Sequence, residues 1–320
     1  MTDTLGSLPV EAKQYYDKKL LERAKPLLKM VTAGQQRNLP KNSGNQVSYR
    51  RFNQISTSTT PLAEGVTPVA SSLSITEITG TAAQYGNYVQ VSDALDMLGI
   101  DPVIREATMV LGENGAQSIE EIVRAELVTG TSVIYGTGSA RNAQSAANPI
   151  SLTLVRRAVR TLQANDAEGY SSKRDDMGQG QMYLGFIHPR QWFDLTGDTT
   201  VLNTFTYSDP EKLYTLKLPS LAQVAWCVTS RAPVFTGAGS GAADVYGAII
   251  VSENAFGVVN VAGTGTDNSS GTFSTIVKPI GSAGAADPLD QRGTIGWKAY
   301  QLPKILNNNF MTRIETGVTA

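Results

Sequence analysis

The stretch that decides the fold runs from Asp101 to Gly130 and reads DPVIREATMVLGENGAQSIEEIVRAELVTG. Asp101 and Pro102 are typical of a helix start, because an aspartate caps free N–H groups and the fixed φ of proline suits the first turn. The next proline is Pro149, and Gly130 supplies a stop signal. We therefore predict one long helix over residues 102–129.

This helix is predicted to be amphipathic, with one apolar or small stripe and an opposite polar face. Gly112 and Gly115 each disfavour a helix by about 1 kcal/mol relative to alanine. We therefore expect another backbone, from the hairpin or the tail of the chain, to approach them closely. The apolar stripe consists of Ile104, Ala107, Leu111, Gly115, Ile119 and Ile122, and the polar face of Glu106, Glu113, Gln117, Glu120 and Arg124.

Composition indicates a folded chain without an obvious charged partner. Of its 320 residues, 41% are hydrophobic, and the net charge of −1 gives no global signal for nucleic acid or a membrane. The charge is uneven, however: residues 1–51 carry ten Lys/Arg against four Asp/Glu, and residues 52–172 carry six against twelve. A basic start and an acidic middle are expected to attract each other, within one chain or between neighbouring copies.

The cysteine content and the first residues of the chain indicate the kind of cellular compartment in which the protein is expected. Cys227 is the one cysteine, so no internal disulfide can form, and its apolar surroundings predict a buried thiol in a reducing compartment. The first nine residues have neither the basic nor the apolar region of a secretory signal. No apolar run is long enough for a transmembrane helix.

A projecting β-hairpin is predicted just before the long helix. Residues 46–52 alternate as a strand does, residues 54–72 are rich in Ser, Thr, Pro and Gly, and an alternating run resumes at 73 and continues to 91. Such an arm cannot bury a core of its own. We expect it to lie on a neighbouring subunit.

The other elements follow from periodicity and turn signals. We predict helices at 9–30, 92–99, 151–163 and 189–195, and a loop at 131–149. Strands are predicted at 181–187, 221–229, 245–251, 257–261, 274–280 and 293–298, with a final strand-like segment at 302–315.

The sequence offers little for catalysis or metal binding. His188 is the only histidine, no G-x-S-x-G is present, and a zinc site of the His/Cys/Glu kind is nearly excluded. The glycine runs at 237–241 and 263–265 do not lead into a helix, so they lack the geometry of a phosphate loop. Asp175, Asp176 and Asp198 lack metal-ligand spacing. We predict no catalytic residue, cofactor site or metal site, and we do not expect an enzyme.

One pair of arginines leaves two interpretations open. Arg156 and Arg160 stand at i and i+4 of a predicted helix and therefore share a face. That face can meet phosphate, or it can simply be solvated.

Several short stretches along the whole chain resemble the major capsid proteins of N4-like tailed bacteriophages. The stretches that carry the resemblance are, in chain order, YYDKKLLERA at 15–24, YRRF at 49–52, TPLAEGVTP at 60–68, QYG at 84–86 with SD at 92–93, KPIGSAG at 278–284 and DPLDQRGTIGWK at 287–298.

The resemblance implies the Hong Kong 97-type capsid fold, an α+β fold, and names for its parts. Residues 1–45 are expected to be the N-arm, 46–81 the extended E-loop, and 82–150 the peripheral (P) domain with its spine helix at 102–129. Residues 151–290 are expected to be the axial (A) domain, and 291–320 to return to the P-domain.

The function implied is that of a virion shell. Copies are expected to form the pentamers and hexamers of an icosahedral head around double-stranded DNA, assembled in the host bacterial cytoplasm. Expected partners are other copies of the chain, scaffolding, portal and decoration proteins, and packaged DNA through weak, non-specific contact, with no membrane. The alternative is the shell of a cellular encapsulin-like nanocompartment with the same fold.

Some members of this fold link their subunits by lysine–asparagine isopeptide bonds that start from the E-loop. This chain has no lysine between Lys41 and Lys173. The hairpin arm therefore has no amine to donate, and we predict a shell held by non-covalent contacts.

Overall fold

The computed structural model describes residues 28–40, 44–59, 61–62, 64–65, 67, 69–98, 103–170, 182–199, 201, 221–261, 274–282 and 287–319. The helices are α1 Lys29–Ala33, α2 Asp93–Leu98, α3 Val103–Val128, α4 Leu152–Ala164 and α5 Pro189–Gly197. The strands are β1 Gln35–Leu39, β2 Gln46–Phe52, β3 Ile75–Thr81, β4 Ala83–Ser92, β5 Val133–Tyr135, β6 Tyr183–Ile187, β7 Val224–Val228, β8 Val234–Phe235, β9 Val245–Val251, β10 Phe256–Val261, β11 Ser274–Lys278, β12 Arg292–Ile305 and β13 Met311–Thr316.

The first sheet is organised around the long strand β12. Along one edge, β4 pairs antiparallel with β12 from Arg292 to Gln301. The other edge is shared: β11 pairs with residues 294–298 and β10 with residues 301–305. β1 extends the sheet by pairing parallel to β10.

The second sheet has the order β5-β13-β9-β6-β7, and β8 also pairs with β9. Because side chains alternate along a strand, its two faces carry different cores. Ile249 and Val251 belong to the cluster that includes α1 and α3, whereas Ala248 and Ile250 belong to the cluster that includes α4 and α5. This sheet is therefore covered by helices on both faces.

The helix α3 lies between the two sheets and is the centre of the fold. Its buried residues pack with Trp297 and Ile295 of the first sheet and with Phe186 and Ile249 of the second. Two-sided packing explains an error in the prediction for this helix: Glu120, placed on the polar face, is only 1% exposed. An amphipathic pattern assumes one buried stripe, and here a second side is covered as well.

The end of the chain also differs from the prediction. The expected single segment at 302–315 is divided: β12 ends at Ile305, a 3-10 turn occupies Asn308–Phe310, and β13 begins at Met311. The turn moves the chain from the first sheet to the second, because β12 pairs with β4, β10 and β11, and β13 pairs with β5 and β9.

The two sheets also cross the sequence divisions at residues 150 and 290. In the second sheet, β13 pairs with β9 of the 151–290 segment, and β5 pairs with the other side of β13. In the first sheet, β10 and β11 of that segment pair with β12. The helix predicted at 9–30 lies outside the described residues except for its end, which enters α1.

Candidate functional site

The hairpin β2–β3 is an exposed apolar surface. Its two strands pair antiparallel over seven residues, from Gln46 opposite Thr81 to Phe52 opposite Ile75. Val69, in the connection between them, is 96% exposed. Large apolar side chains in one region of a surface mark an interaction site more often than an accident of folding. The exposed members are Phe52, Ile55, Leu62, Val69, Leu73 and Ile75.

The base of the hairpin is fixed to the first sheet. Tyr49 is buried with Val259 of β10 and Leu302 of β12. Gly257 leaves room for the Tyr49 ring, because a Cβ added at Gly257 would lie 2.5 Å from the Tyr49 hydroxyl. The hairpin therefore has a rigid attachment and an uncovered outer part.

A second surface feature is a hollow formed by strands of the first sheet. An open hollow of about 370 Å³ includes Tyr88 of β4, Ile276 of β11 and Gly296 of β12 in its lining. Tyr88 is 68% exposed and Ile276 is 43% exposed. Gly296 allows β4 to pack closely against β12, since a Cβ added at Gly296 would lie 2.9 Å from the Cβ of Tyr88.

The helix α3 is tied to the tail strand beside its two glycines. Gly112 and Gly115 are both buried. The side-chain oxygen of Asn114, which lies between them, accepts a hydrogen bond from Trp297 Nε1 at 3.1 Å and another from Asn87 Nδ2 at 3.3 Å. Side chains of β12 and its neighbour β4 therefore contact α3 at Asn114, between the two glycines.

The beginning of the described chain is anchored in a polar junction. The carboxylate of Glu120 accepts the backbone N–H of Met30 at 2.7 Å and that of Val31 at 3.5 Å. Burial raises the pKa of Glu120, and the N–H bonds and the nearby Lys29 offset this only in part. Tyr170 donates to the carbonyl of Ala33 at 2.6 Å, so α1 is fixed at both ends.

A buried ion network joins the end of α3 to the second sheet. Glu315 of β13 is fully buried and accepts from Arg313 Nε at 2.7 Å and from two nitrogens of Arg141, each at 2.7 Å. Arg313 also donates to the carbonyls of Val128 and Gly130, at 2.5 and 3.3 Å. Cations favour the carbonyl end of a helix, so Arg313 caps α3.

Electrostatics in this network favour the charged carboxylate. Burial alone would raise the pKa of Glu315, but hydrogen bonds from Arg141 and Arg313 bring it below its usual value. The Arg141 guanidinium also lies over the Phe235 ring, 3.5 Å from its centroid. The network fixes the loop after β5 against the edge of the sheet.

Sequence comparisons give no match: no protein-family model and no curated protein matches the chain. The fold, however, matches solved structures over most of its length. The capsid of Ralstonia phage GP4 has a TM-score of 0.68 at 12% identity, covering 90% of this chain and 88% of that chain. The capsid of cyanophage Pam1 has a TM-score of 0.64 at 16% identity, covering 88% and 87%.

The chain has the Hong Kong 97-type capsid fold. The fold class predicted from the sequence is therefore confirmed. A virus-like particle from Pyrococcus furiosus is also similar, with a TM-score of 0.52 at 12% identity, covering 95% of this chain and all of that chain.

Within this capsid fold, the candidate residues for chemistry have structural contacts. His188 is the N-cap of α5: its Nδ1 accepts from the Arg190 N–H at 3.2 Å, and its ring lies 4.8 Å from that of Tyr246. Burial and the Arg190 charge lower the pKa of His188. Asp198 accepts the N–H of Leu152 at the start of α4.

The other residues that the sequence analysis considered for chemistry are glycines in a loop, the Cys227 thiol, and residues that the structure does not describe. Gly237 and Gly241 adopt positive φ in a loop. Cys227 is half-buried, and burial raises the pKa of its thiol. Asp175, Asp176 and the glycines at 263–265 lie outside the described residues.

The described residues offer neither a metal cluster nor a spanning helix. Among them, no group of three or more His, Cys, Asp and Glu side chains is placed to hold a metal ion. No helix in the same part of the chain is long and apolar enough to cross a membrane.

Proposed function

We propose that this chain is the major capsid protein of a tailed bacteriophage, and that its copies form the pentamers and hexamers of an icosahedral head around double-stranded DNA. The observation that carries the proposal is the match to the capsid of Ralstonia phage GP4 over 90% of this chain and 88% of that chain. Because the match covers about nine-tenths of each chain, the proposal rests on the whole fold and not on one part of it.

The exposed hairpin supports an assembling subunit. A lone soluble protein gains nothing by exposing 96% of Val69 and 75% of Leu62 on a rigidly attached arm. A neighbouring copy can bury these side chains. We propose that the hairpin of each copy lies on the next one around the shell.

Finer assignments follow from the same proposal. We assign residues 1–45 to the N-arm, 46–81 to the E-loop, 82–150 to the P-domain, 151–290 to the A-domain and 291–320 to the return to the P-domain. The positions of β2–β3 within 46–81 and of α3 within 82–150 support these assignments. The short motifs described above favour the N4-like group.

The partners and place of assembly are also part of the proposal. Beside copies of itself, the chain is expected to meet scaffolding, portal and decoration proteins, and packaged DNA through weak contact. Assembly takes place in the host bacterial cytoplasm. We propose that the contacts are non-covalent, so purified particles boiled in detergent release a single band of 34.1 kDa; a ladder of covalent multimers would contradict this.

Sedimentation of the full-length chain tests the proposed function. Expressed alone or with scaffolding protein, the chain is expected to sediment as particles far heavier than one subunit. Particles produced during infection are expected to contain nuclease-protected DNA. A chain that sediments only as a monomer or small oligomer under all these conditions would refute the proposal.

A cellular nanocompartment shell is the second candidate. The full coverage of the Pyrococcus furiosus virus-like particle favours it, although the TM-score of 0.52 is lower than the 0.68 for the phage capsid. Protein cargo in place of DNA inside natural particles would identify this alternative.

A further inference from the structure

The outer face of α4 is an arginine cluster. Arg156, Arg157 and Arg160 are all exposed on this helix of 13 residues. The opposite face packs into the core below the second sheet, so the helix cannot rotate to hide them. The buried members are Leu152, Val155, Ala158, Val159 and Leu162.

The three arginines lie close enough on the helix to repel one another. Arg160 is four residues from Arg156 and three from Arg157, the two spacings at which side chains on a helix are neighbours. The helix, LTLVRRAVRTLQA, contains no acidic residue. In the part of the chain that the structure describes, no carboxylate lies within ion-pair distance of these three guanidiniums. A cluster that breaks the local rules for a stable helix is expected where function requires it.

The chemistry of the cluster fits phosphate. Guanidinium presents a planar fork that matches phosphate oxygens, and it keeps its charge at any physiological pH. Arg156 and Arg160 are separated by about 6 Å along the helix axis at 1.5 Å per residue. Duplex DNA offers one negative charge per about 1.7 Å and needs no base-reading element to be held in this way.

The carboxylates of α3 do not compensate this face within the subunit. Three described carboxylates of α3 already have partners: Glu121 binds Arg231 at 2.8 Å, Glu126 binds Lys304 at 3.2 Å, and Glu120 binds α1. Moreover, α4 and α3 lie on opposite faces of the second sheet, so α4 forms a surface of its own.

We infer that Arg156, Arg157 and Arg160 bind the phosphate backbone of packaged duplex DNA, and that this face of α4 lines the interior of the shell. The inference rests on the proposed function, because the shell is what places duplex DNA beside the helix. The contact is weak, independent of sequence and sensitive to salt.

The test measures how salt weakens binding of a short fluorescent DNA duplex to the purified full-length chain, kept as unassembled subunits so that the added duplex can reach α4. The variant is Arg156→Gln/Arg157→Gln/Arg160→Gln. The matched control removes three positive charges elsewhere, as Arg50→Gln/Arg51→Gln/Lys278→Gln. A third protein, Arg156→Lys/Arg157→Lys/Arg160→Lys, keeps the charge on α4.

The slope of log K against log salt concentration becomes shallower by about 0.9 for each phosphate that is no longer bound. The α4 variant loses three arginines, so its slope is expected to be shallower than that of the parent by about 2.7. The lysine variant is expected to keep most of the slope, and the control to change it by less than about 0.9. Equal changes in the α4 variant and the control would overturn the inference, because binding would then follow net charge alone. Absence of measurable DNA binding by the parent would also overturn it.

Sedimentation of the same preparations separates this inference from the proposed function. The α4 variant is expected to form particles as the parent does. If it fails to assemble while its DNA binding is unchanged, α4 is a subunit contact and the inference is wrong. If the parent itself forms no particles, the proposed function fails, while the salt slopes still report on the arginines.

Discussion

Trp297 of the tail strand donates its indole N–H to the side chain of Asn114, 3.1 Å away, at the point where α3 carries Gly112 and Gly115. This contact joins the side chain of Trp297 to α3 between the two glycines. The tail of the chain is thereby fixed to the central helix, and α3 serves as the spine on which both sheets are mounted.

The close approach of another backbone that we expect at Gly112 and Gly115 predicts a difference between two nearby substitutions. Gly115→Leu adds a large side chain at a buried site, and overpacking of this kind costs about 1–3 kcal/mol. Glu113→Ala changes a half-buried surface position and is expected to stay within about 0.5 kcal/mol of the parent. Urea unfolding midpoints of the two unassembled variants provide the measurement. Equal midpoints would refute the close approach at Gly115.

The Glu120 anchor predicts different results for two substitutions. Glu120→Ala leaves the buried N–H of Met30 without its acceptor, which costs about 1–3 kcal/mol. Glu120→Gln keeps an acceptor oxygen and removes a buried charge, so it is expected to be less destabilising. Urea unfolding of both variants at pH 7 measures the difference.

The pH dependence of this pair follows from the raised pKa of Glu120. Because the pKa of Glu120 is higher in the folded state, the stability that its protonated form contributes is fully present below the ordinary pKa of 4.5. This stability is lost as the pH rises through the pKa of Glu120 in the folded protein. The stability of the parent relative to Glu120→Gln is therefore expected to fall as pH rises above about 4.5. A difference that stays constant between pH 4 and pH 8 would contradict this.

The elements that could be predicted from the sequence are those that depend on residues close together along the chain. Asp101-Pro102 and Thr129-Gly130 bracket a helix that runs from Val103 to Val128, and the limb predicted at 46–52 is β2. β1 was missed because Gln35–Leu39 is a polar run whose strand character comes from pairing with β10, more than 200 residues away. β5 was missed for a similar reason, since three residues in a Gly/Ser-rich loop become a strand only beside β13.

The ion network could not be predicted for the same physical reason. Arg141 and Glu315 are separated by 174 residues, and nothing local to either one indicates the other. The one local signal is Arg313 two residues before Glu315 on a strand, a spacing that places both side chains on one face.

Removal of the Glu315 charge is expected to be costly. Glu315→Gln leaves the buried Arg313 without its counter-charge, and breaking a buried pair in this way costs about 3–5 kcal/mol. The exposed pair Arg50–Glu77, at 3.9 Å, is the control, and Glu77→Gln is expected to cost less than about 1 kcal/mol.

Because the pKa of Glu315 is lowered in the folded state, the ionised carboxylate stabilises the protein fully at pH values above the ordinary pKa of 4.5. This stabilisation is lost as the pH falls through the lower pKa of Glu315 in the folded protein. The parent is thus expected to lose stability in acid more steeply than Glu315→Gln. Chemical unfolding at pH 7 and at pH 3 checks both points, and parallel acid losses in the two proteins would show that Glu315 is not the responsible group.

The hairpin predicts a variant that folds but does not assemble. Val69→Asp alters a side chain that is 96% exposed in the subunit, so the unfolding free energy is expected to change by less than about 0.5 kcal/mol. If a neighbouring copy buries Val69, the substitution weakens each subunit interface by about 1.5–3 kcal/mol, and the critical concentration for assembly rises at least tenfold. Ser71→Asp, which places the same charge two residues away on the exposed connection, is expected to assemble more readily. Normal particles from Val69→Asp would exclude Val69 from the contact.

The central claim is that copies of this chain build a closed shell. A cryo-electron microscopy reconstruction of particles purified from the full-length chain tests it most directly. We expect an icosahedral shell in which pentamers and hexamers are formed by this fold and each β2–β3 hairpin lies on a neighbouring copy. Particles of another symmetry class, or a shell in which every hairpin contacts only its own subunit, would contradict it.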